Sequence, residues 1–218
     1  MNKTKNKLKH IYDLMEGYYG DLSWWPADSP FEVIVGAILT QNTSWGNVEK
    51  AIMELKKNNA LTVRKIGNMD ETALAGLIRS SGYHRVKAGR LKNICRFILE
   101  ECGGRLEALK KERQGVLRKK LLSVKGVGPE TCDSILLYAL DKPVFVVDAY
   151  TKRIFSRHGI INEDVAYDDV QHLVHENFPL RVKKLNKLHA CIVETAKRFC
   201  KKKMGLCKNC PLGKIKKN

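Results

Sequence analysis

Residues 121–140 read LLSVKGVGPETCDSILLYAL, and their reading decides the fold. Apolar residues recur at three- and four-residue spacing on both sides of Lys125-Gly126-Val127-Gly128-Pro129. That pattern predicts two helices joined by a tight turn. Two glycines around one small apolar residue let the backbone reverse sharply, and Val127 is expected to plug the gap between the helices. Such a turn presents backbone N–H groups at the start of the second helix, beside Lys125. Donors, helix dipole and a cation then face one point, which suits a phosphate. Contacts of that kind position nucleic acid without reading its sequence. The GxG pattern by itself also describes an ordinary helix turn.

Outward from this hairpin the chain reads as nearly all helix. The same periodicity runs through FEVIVGAILTQ, NVEKAIMELKK, ETALAGLIRSS, RLKNICRFILEE and KLNKLHACIVETAKRF. Ser29-Pro30 predicts a helix start with Pro at its first position, and Asp70 predicts another. Gly103-Gly104 marks a loop. The strand-like piece Pro143-Val144-Phe145-Val146-Val147 has no partner run and leads straight into a helical pattern, so it is expected to be a buried connector. The predicted class is all-α. No internal repeat or Gly/Ser/Pro linker divides the chain.

Composition narrows the function. The 218 residues carry 40 Lys+Arg against 23 Asp+Glu, a formal net charge of +17. A hydrophobic fraction of 44% is enough for a sizeable core and argues against intrinsic disorder. The basic excess points to a polyanion, most simply nucleic acid. The basic residues do not collect on one amphipathic helix, which disfavours a membrane-surface role. No apolar run is long enough to span a bilayer, and the N-terminal MNKTKNKLKHIYDLM lacks the apolar core of a signal peptide. A soluble, intracellular (cytoplasmic), DNA-associated protein is expected. The seven cysteines are an odd number, which disfavours a disulfide framework. Three of them, Cys200, Cys207 and Cys210, crowd into a basic tail without apolar periodicity, a segment that is either disordered or held by a metal.

Two further features carry both a structural and a chemical reading. Asp148 opens a helical pattern just after the apolar connector; it is either an N-cap or a carboxylate held at a reaction site, or both. All three tryptophans, Trp24, Trp25 and Trp45, lie close together in sequence. Flat side chains hold a base taken out of the stack, and electron-rich rings favour a cationic alkylated purine. Ordinary core packing is the other use of such rings.

LLSVKGVGPETCDSILLYAL followed by PVFVVDAYTKRIFSRHG resembles the helix-hairpin-helix, Gly-Pro-Asp-loop motif of the endonuclease III superfamily of DNA glycosylases. FEVIVGAILTQNTSW, SSGYHRVKAGRLK and CKKKMGLCKNC resemble the family's first barrel helix with its loop, its second DNA-facing loop and its iron–sulfur loop. WWP with LTQNTSW resembles the 3-methyladenine glycosylases of this type. The resemblance implies a two-lobed helical fold with a DNA-binding cleft between lobes. One lobe is a six-helix barrel over 27–141 with the hairpin at about 118–134. The other joins 1–26 to 142–218 and includes the cysteine loop 200–210.

By the same resemblance Asp148 is the catalytic aspartate, and Trp24, Pro26 and Trp45 form the base pocket, with Trp25 structural. Gln41 fills the hole left by the flipped base and Tyr83 wedges the opposite strand. Arg85 and Lys87 lie near phosphates, as do Lys125, Gly126, Val127 and Gly128. Family members that also cut the strand carry a lysine where this chain has Glu130, and a glutamate forms no imine. Glu130 either lines the base pocket or favours the helix start. The implied activity is a monofunctional glycosylase of base excision repair, without lyase activity, acting as a monomer on double-stranded DNA with a flipped alkylated purine such as 3-methyladenine. The alternatives are a mismatch thymine/uracil or adenine glycosylase, or a DNA-binding module that has lost chemistry. Cys200, Cys207 and Cys210 match three of the four family ligands of a 4Fe–4S cluster. The fourth falls at Lys216, so Cys191, a non-cysteine ligand, a mixed zinc site or no metal stay open.

Overall fold

The computed structural model describes residues 3–22 and 24–215. Among them are twelve α-helices in chain order: α1 (Lys3–Tyr19), α2 (Pro30–Leu39), α3 (Trp45–Lys57), α4 (Val63–Asn68), α5 (Glu71–Leu77), α6 (His84–Cys102), α7 (Leu106–Lys111), α8 (Gln114–Leu122), α9 (Pro129–Ser134), α10 (Ala149–Arg157), α11 (Tyr167–Asn177) and α12 (Val182–Arg198). The described residues form no strand. No described helix is long and apolar enough to cross a membrane. The chain divides into two compact units. One runs Trp25–Lys142; the other joins the chain up to Trp24 to the chain from Pro143 onward.

In the Trp25–Lys142 unit the core helix is α2. Every residue from Phe31 to Leu39 is buried, as expected of a helix that is apolar all round. The Ser29 hydroxyl accepts the Glu32 N–H at 3.2 Å and Pro30 occupies the first turn, so the helix starts where its first donors find a partner. Buried Glu32 is paired with Lys56 at 2.7 Å. Helix α2 packs on α3, α6 and α9. Truncating a fully buried residue such as Ile38 to Ala would cost about 2–5 kcal/mol. Helix α6 ends at Gly103 (φ 60°), where the N–H groups of Gly103 and Gly104 return to the carbonyls of Leu99 and Ile98. This pattern satisfies the last carbonyls of the helix.

The hairpin is α8, a turn, and α9. Val124 and Val127 are buried in it. Fully buried Asp133 takes a two-pronged bond from Arg118 (Nε 2.8 Å, Nη2 3.1 Å), which ties α9 to α8. The continuous helix expected over TCDSILLYAL is instead interrupted. After Ser134 the chain widens into a π-helical turn, Ile135–Ala139, with the Leu140 N–H on the Ile135 carbonyl at 3.1 Å. The extra residue in the turn carries Tyr138 against Trp25, ring centroids 4.9 Å apart.

In the other unit α12 packs against α1 and α10. Residues 144–147 are buried, in neither helix nor strand. A buried backbone must find hydrogen bonds elsewhere. One face of α11 supplies them: the Phe145 N–H donates to His175 Nε2 at 3.0 Å, Gln171 Nε2 donates to the Phe145 carbonyl at 2.6 Å, and the Val147 N–H donates to the Tyr167 hydroxyl at 3.3 Å. Tyr167, Gln171 and His175 are spaced by four, so they share a helix face. This side-chain ladder sets the position at which Asp148 leaves the connector.

Candidate functional site

Asp148 is extended (φ −106°, ψ 178°) and caps α10: its Oδ1 accepts the Thr151 N–H at 2.7 Å. Its side chain is only 11% exposed, and His189 Nε2 of α12 lies 3.5 Å from its Oδ2. Burial opposes a charge on Asp148, but the His189 ring and the Thr151 contacts outweigh it and hold the carboxyl below the usual carboxylate range. The same residue is therefore both a cap and a buried, ionised carboxylate. The His189 ring is set by two aromatic edges, Trp24 and Phe145, each with centroids 6.3 Å away. The Trp24 indole N–H is buried without a hydrogen-bond partner among the described residues, and Lys197 Nζ lies 5.5 Å above its ring.

The other two tryptophans, Trp25 and Trp45, belong to the Trp25–Lys142 unit. Trp45 opens α3 and is half-buried, its indole N–H on Glu49 at 2.7 Å. Trp25, expected to be structural only, lies edge-on to Trp45 at 5.5 Å and tilted on Tyr138. It does so from a left-handed backbone (φ 61°) and against Gly36, where a Cβ would come within 3.3 Å of its indole nitrogen. Its indole N–H is also buried without a partner among the described residues. Pro26 is exposed.

The hairpin turn is assembled by side chains from α6 and the loop after α2. Gly126 has φ 99°, and a Cβ there would run into the Arg90 side chain, so only glycine fits. Gln41 Nε2 donates to the Gly126 carbonyl at 3.1 Å and to the Thr131 hydroxyl at 2.9 Å, while its Oε1 accepts from Arg90. Asn93 donates to the Lys125 carbonyl. Lys125, Gly128 and Glu130 are exposed, with Glu130 in the first turn of α9. Tyr83 is 68% exposed on a left-handed backbone (φ 46°), and Arg85 is exposed beside it.

Lys87 corrects an expectation. It is 1% exposed, and its ammonium donates to the carbonyls of Leu39 (2.8 Å) and Ser81 (2.7 Å). Burial, helped by the neighbouring Arg90 charge, pushes its pKa down to about 8. It presents no cation to a phosphate.

The cysteine loop differs from a four-thiolate site. No three His, Cys, Asp or Glu residues among the described ones gather into a set that could hold a metal ion. Cys200 is buried with its Sγ accepting from Arg157 at 3.1 Å, while Cys207 is exposed. Arg157 also donates to the carbonyls of Lys201 and Lys202, and Arg153 to that of Cys200. Cys191 does not join them. It is fully buried in α12, where Lys187 and Glu16 are its charged neighbours, and burial pushes its thiol up to about 11. Lys216, the remaining position, lies outside the described residues. The residues present here do not fit a four-thiolate cluster.

His189, Tyr138 and the Arg90 contact to Gln41 had no local signal in the sequence. Each is joined to its partner by packing, not by spacing.

Comparison with known proteins places this geometry. Residues 35–180 match the model of the HhH-GPD superfamily base excision DNA repair proteins. A protein of Methanocaldococcus jannaschii named as a candidate DNA repair glycosylase is 52% identical over 203 residues, 93% of this chain and 92% of that protein. The crystal structure of the Helicobacter pylori 3-methyladenine DNA glycosylase bound to 1,N6-ethenoadenine aligns with a TM-score of 0.76 and 32% identity, covering 90% of this chain and 98% of that one. An endonuclease III in a non-covalent DNA complex has the same fold, with a TM-score of 0.83 at 22% identity over 99% of this chain and 95% of that one. With the matched region running from the core helix α2 through the hairpin, the connector and Asp148 to the end of α11, the chain belongs to the HhH-GPD superfamily of base excision DNA repair proteins.

Proposed function

We propose that this protein is a monofunctional DNA glycosylase that hydrolyses the N-glycosidic bond of alkylated purines such as 3-methyladenine. The observation that carries the reading is the buried carboxylate of Asp148, kept ionised by His189 and the Thr151 N–H. Breaking the C1′–N bond sends its electron pair to the base and builds positive charge on the deoxyribose. A fixed carboxylate stabilises that charge far better in a water-poor site than in bulk water. Water then adds its oxygen to C1′ and releases a proton. An alkylated purine already carries positive charge and leaves as a neutral base, so it needs no second acid.

The substrate choice draws on the likeness to the H. pylori 3-methyladenine glycosylase and on the tryptophans. Trp24, Pro26 and Trp45 are assigned to holding the base, and Trp25 joins them through its contact with Trp45. Glu130 supports the monofunctional reading, because a carboxylate, unlike an amine, forms no imine at C1′ and so opens no route to strand cleavage. Gln41, Tyr83, Arg85, Lys125, Gly126, Val127 and Gly128 are assigned to duplex DNA, with the basic excess supplying the salt-sensitive part of binding. Cys200, Cys207 and Cys210 supply at most three of the four thiolates of a 4Fe–4S cluster, and no step of base release runs through one.

A base-release panel with methylated, deaminated and oxidised duplexes tests the reading. Release of methylated purines, leaving an intact abasic strand and no borohydride-trapped adduct, is expected. Strong release from G·T or G·U with none from methylated purines would reject the substrate class. Efficient trapping would reject the monofunctional assignment. No release from any lesion would leave a DNA-binding module.

A further inference from the structure

A buried lysine with no carboxylate partner is costly unless its three donors are used. Lys87 uses two of them on carbonyls, and the choice of carbonyls is informative. Leu39 is the last residue of α2, and Ser81 is the last residue of the 3-10 turn Arg79–Ser81. The ends of helices carry unpaired carbonyls and partial negative charge, so one ammonium satisfies both. Each capped carbonyl leads straight into a sharp turn held in the left-handed region. One turn contains Gln41 and Asn42 (φ 54°), the other Gly82 and Tyr83. A second strap runs alongside, from the Ser80 hydroxyl to the Asn47 carbonyl at 3.0 Å. One helical turn beyond Lys87, Arg90 holds the Gln41 side chain, which in turn holds Gly126 of the hairpin.

We infer that Lys87 is a positioning residue for lesion recognition: its buried ammonium fixes the spacing of the Gln41 and Tyr83 loops, and with Arg90 it sets both in register with the hairpin. The inference rests on the glycosylase reading, which gives those loops to DNA. It assigns Lys87 no contact with substrate or phosphate. The physical ground is that recognition of a gap in a duplex depends on where two tips stand relative to each other. A misplacement of about 1 Å at such a site costs on the order of 10²-fold.

The test is Lys87→Met, which keeps most of the side-chain length and removes the donors. Binding is measured to a duplex with a tetrahydrofuran abasic analogue and to the intact duplex, over a range of salt. Loss of about tenfold or more in preference for the abasic duplex is expected. The salt slope should be unchanged, because no phosphate contact is lost, and release at saturating enzyme should stay within about threefold. A slope reduced by about 0.9 would mean that Lys87 contacts a phosphate, and would overturn the inference. So would a folded variant with unaltered preference. If Lys87→Met does not fold, Arg90→Met reads the same hub, with the same expected loss of preference and the same overturning result. If the wild type itself does not prefer the abasic duplex, the glycosylase reading falls with it; if only the variant fails to differ, the inference alone falls.

Discussion

His189 Nε2 stands 3.5 Å from Asp148 Oδ2, while the Thr151 N–H binds Oδ1. One oxygen is thus held by its own helix and the other faced by a side chain from α12. A carboxylate hydrogen-bonded through one oxygen and faced by an imidazole at the other has a preferred direction as well as a favoured charge. This pairing separates two roles of Asp148, capping and charge, and the two respond differently to substitution.

Asp148→Asn keeps an acceptor for the Thr151 N–H, and Asn caps helices as well as Asp does. It should remain more stable than Asp148→Ala, which also loses the cap, worth about 1 kcal/mol in urea unfolding. Base release by Asp148→Asn should fall by about 10²-fold or more, with lesion-duplex affinity retained. Unchanged release would remove Asp148 from the chemistry.

The depressed acidity of Asp148 gives a pH prediction with a definite sign. Folded Asp148 binds its proton less tightly than unfolded Asp148, so the unfolded chain takes up more protons in acid. Its stabilising contribution is complete above about pH 4, the unfolded value, and is lost as pH falls through the lower folded value. Single-turnover release should accordingly show no Asp148 acid limb above about pH 5. In His189→Phe, burial acts unopposed by the imidazole, so the acid limb should move to higher pH. An identical profile in wild type and His189→Phe would show that the ring does not act on the carboxylate.

Gln171 donates 2.6 Å to the carbonyl of buried Phe145. Gln171→Ala leaves that carbonyl without its side-chain donor, at a cost of about 1–3 kcal/mol in urea unfolding. Because the connector leads into Asp148, release should drop more than duplex affinity does. Equal losses in both would mean that the ladder serves stability alone.

Gly126→Ala meets two obstacles, a φ of 99° and the Arg90 side chain. A destabilisation of about 1–3 kcal/mol is expected, with weaker binding to intact and lesion duplex alike. Thermal unfolding and a salt titration check it; a variant with wild-type stability would show that the turn adapts.

Arg157 holds three points of the cysteine loop: Cys200 Sγ and the carbonyls of Lys201 and Lys202. Arg157→Met should speed tryptic cleavage at residues 201–203 and expose Cys200 to alkylation, since a loop with fewer fixed contacts opens more often. In wild type, exposed Cys207 should react first. Resistance of all three loop thiols until a chelator is added would mean instead that a metal holds the loop.

Much of the architecture follows from local rules. The Ser29 and Asp70 caps, the Gly103 terminus, the glycine turn at 126–128 with Val127 inside it and the N-cap geometry of Asp148 are each decided by residues within a few positions of one another. The interruption at Ile135–Ala139 was not legible, because the periodicity of an α-helix and of one wider turn hardly differ over five residues. Lys87 departs from the expected surface position for a physical reason. In a strongly basic chain every lysine counts toward the surface field, and nothing in SSGYHRVKAGRLK says that this one turns inward to two helix ends.

Sequence alone determined the helical class, the hairpin, the position of the acidic residue at a helix start and the glutamate where an amine would be needed for strand cleavage. These depend on backbone conformation and residue chemistry, which act over a few positions. Tertiary structure alone decided that His189 faces that acid, that α11 stands in for a missing strand, that Trp25 meets Trp45 and Tyr138, and that Lys87 is a buried tie. Those are contacts between segments distant in the chain, chosen by close packing and by the need of every buried polar group for a partner.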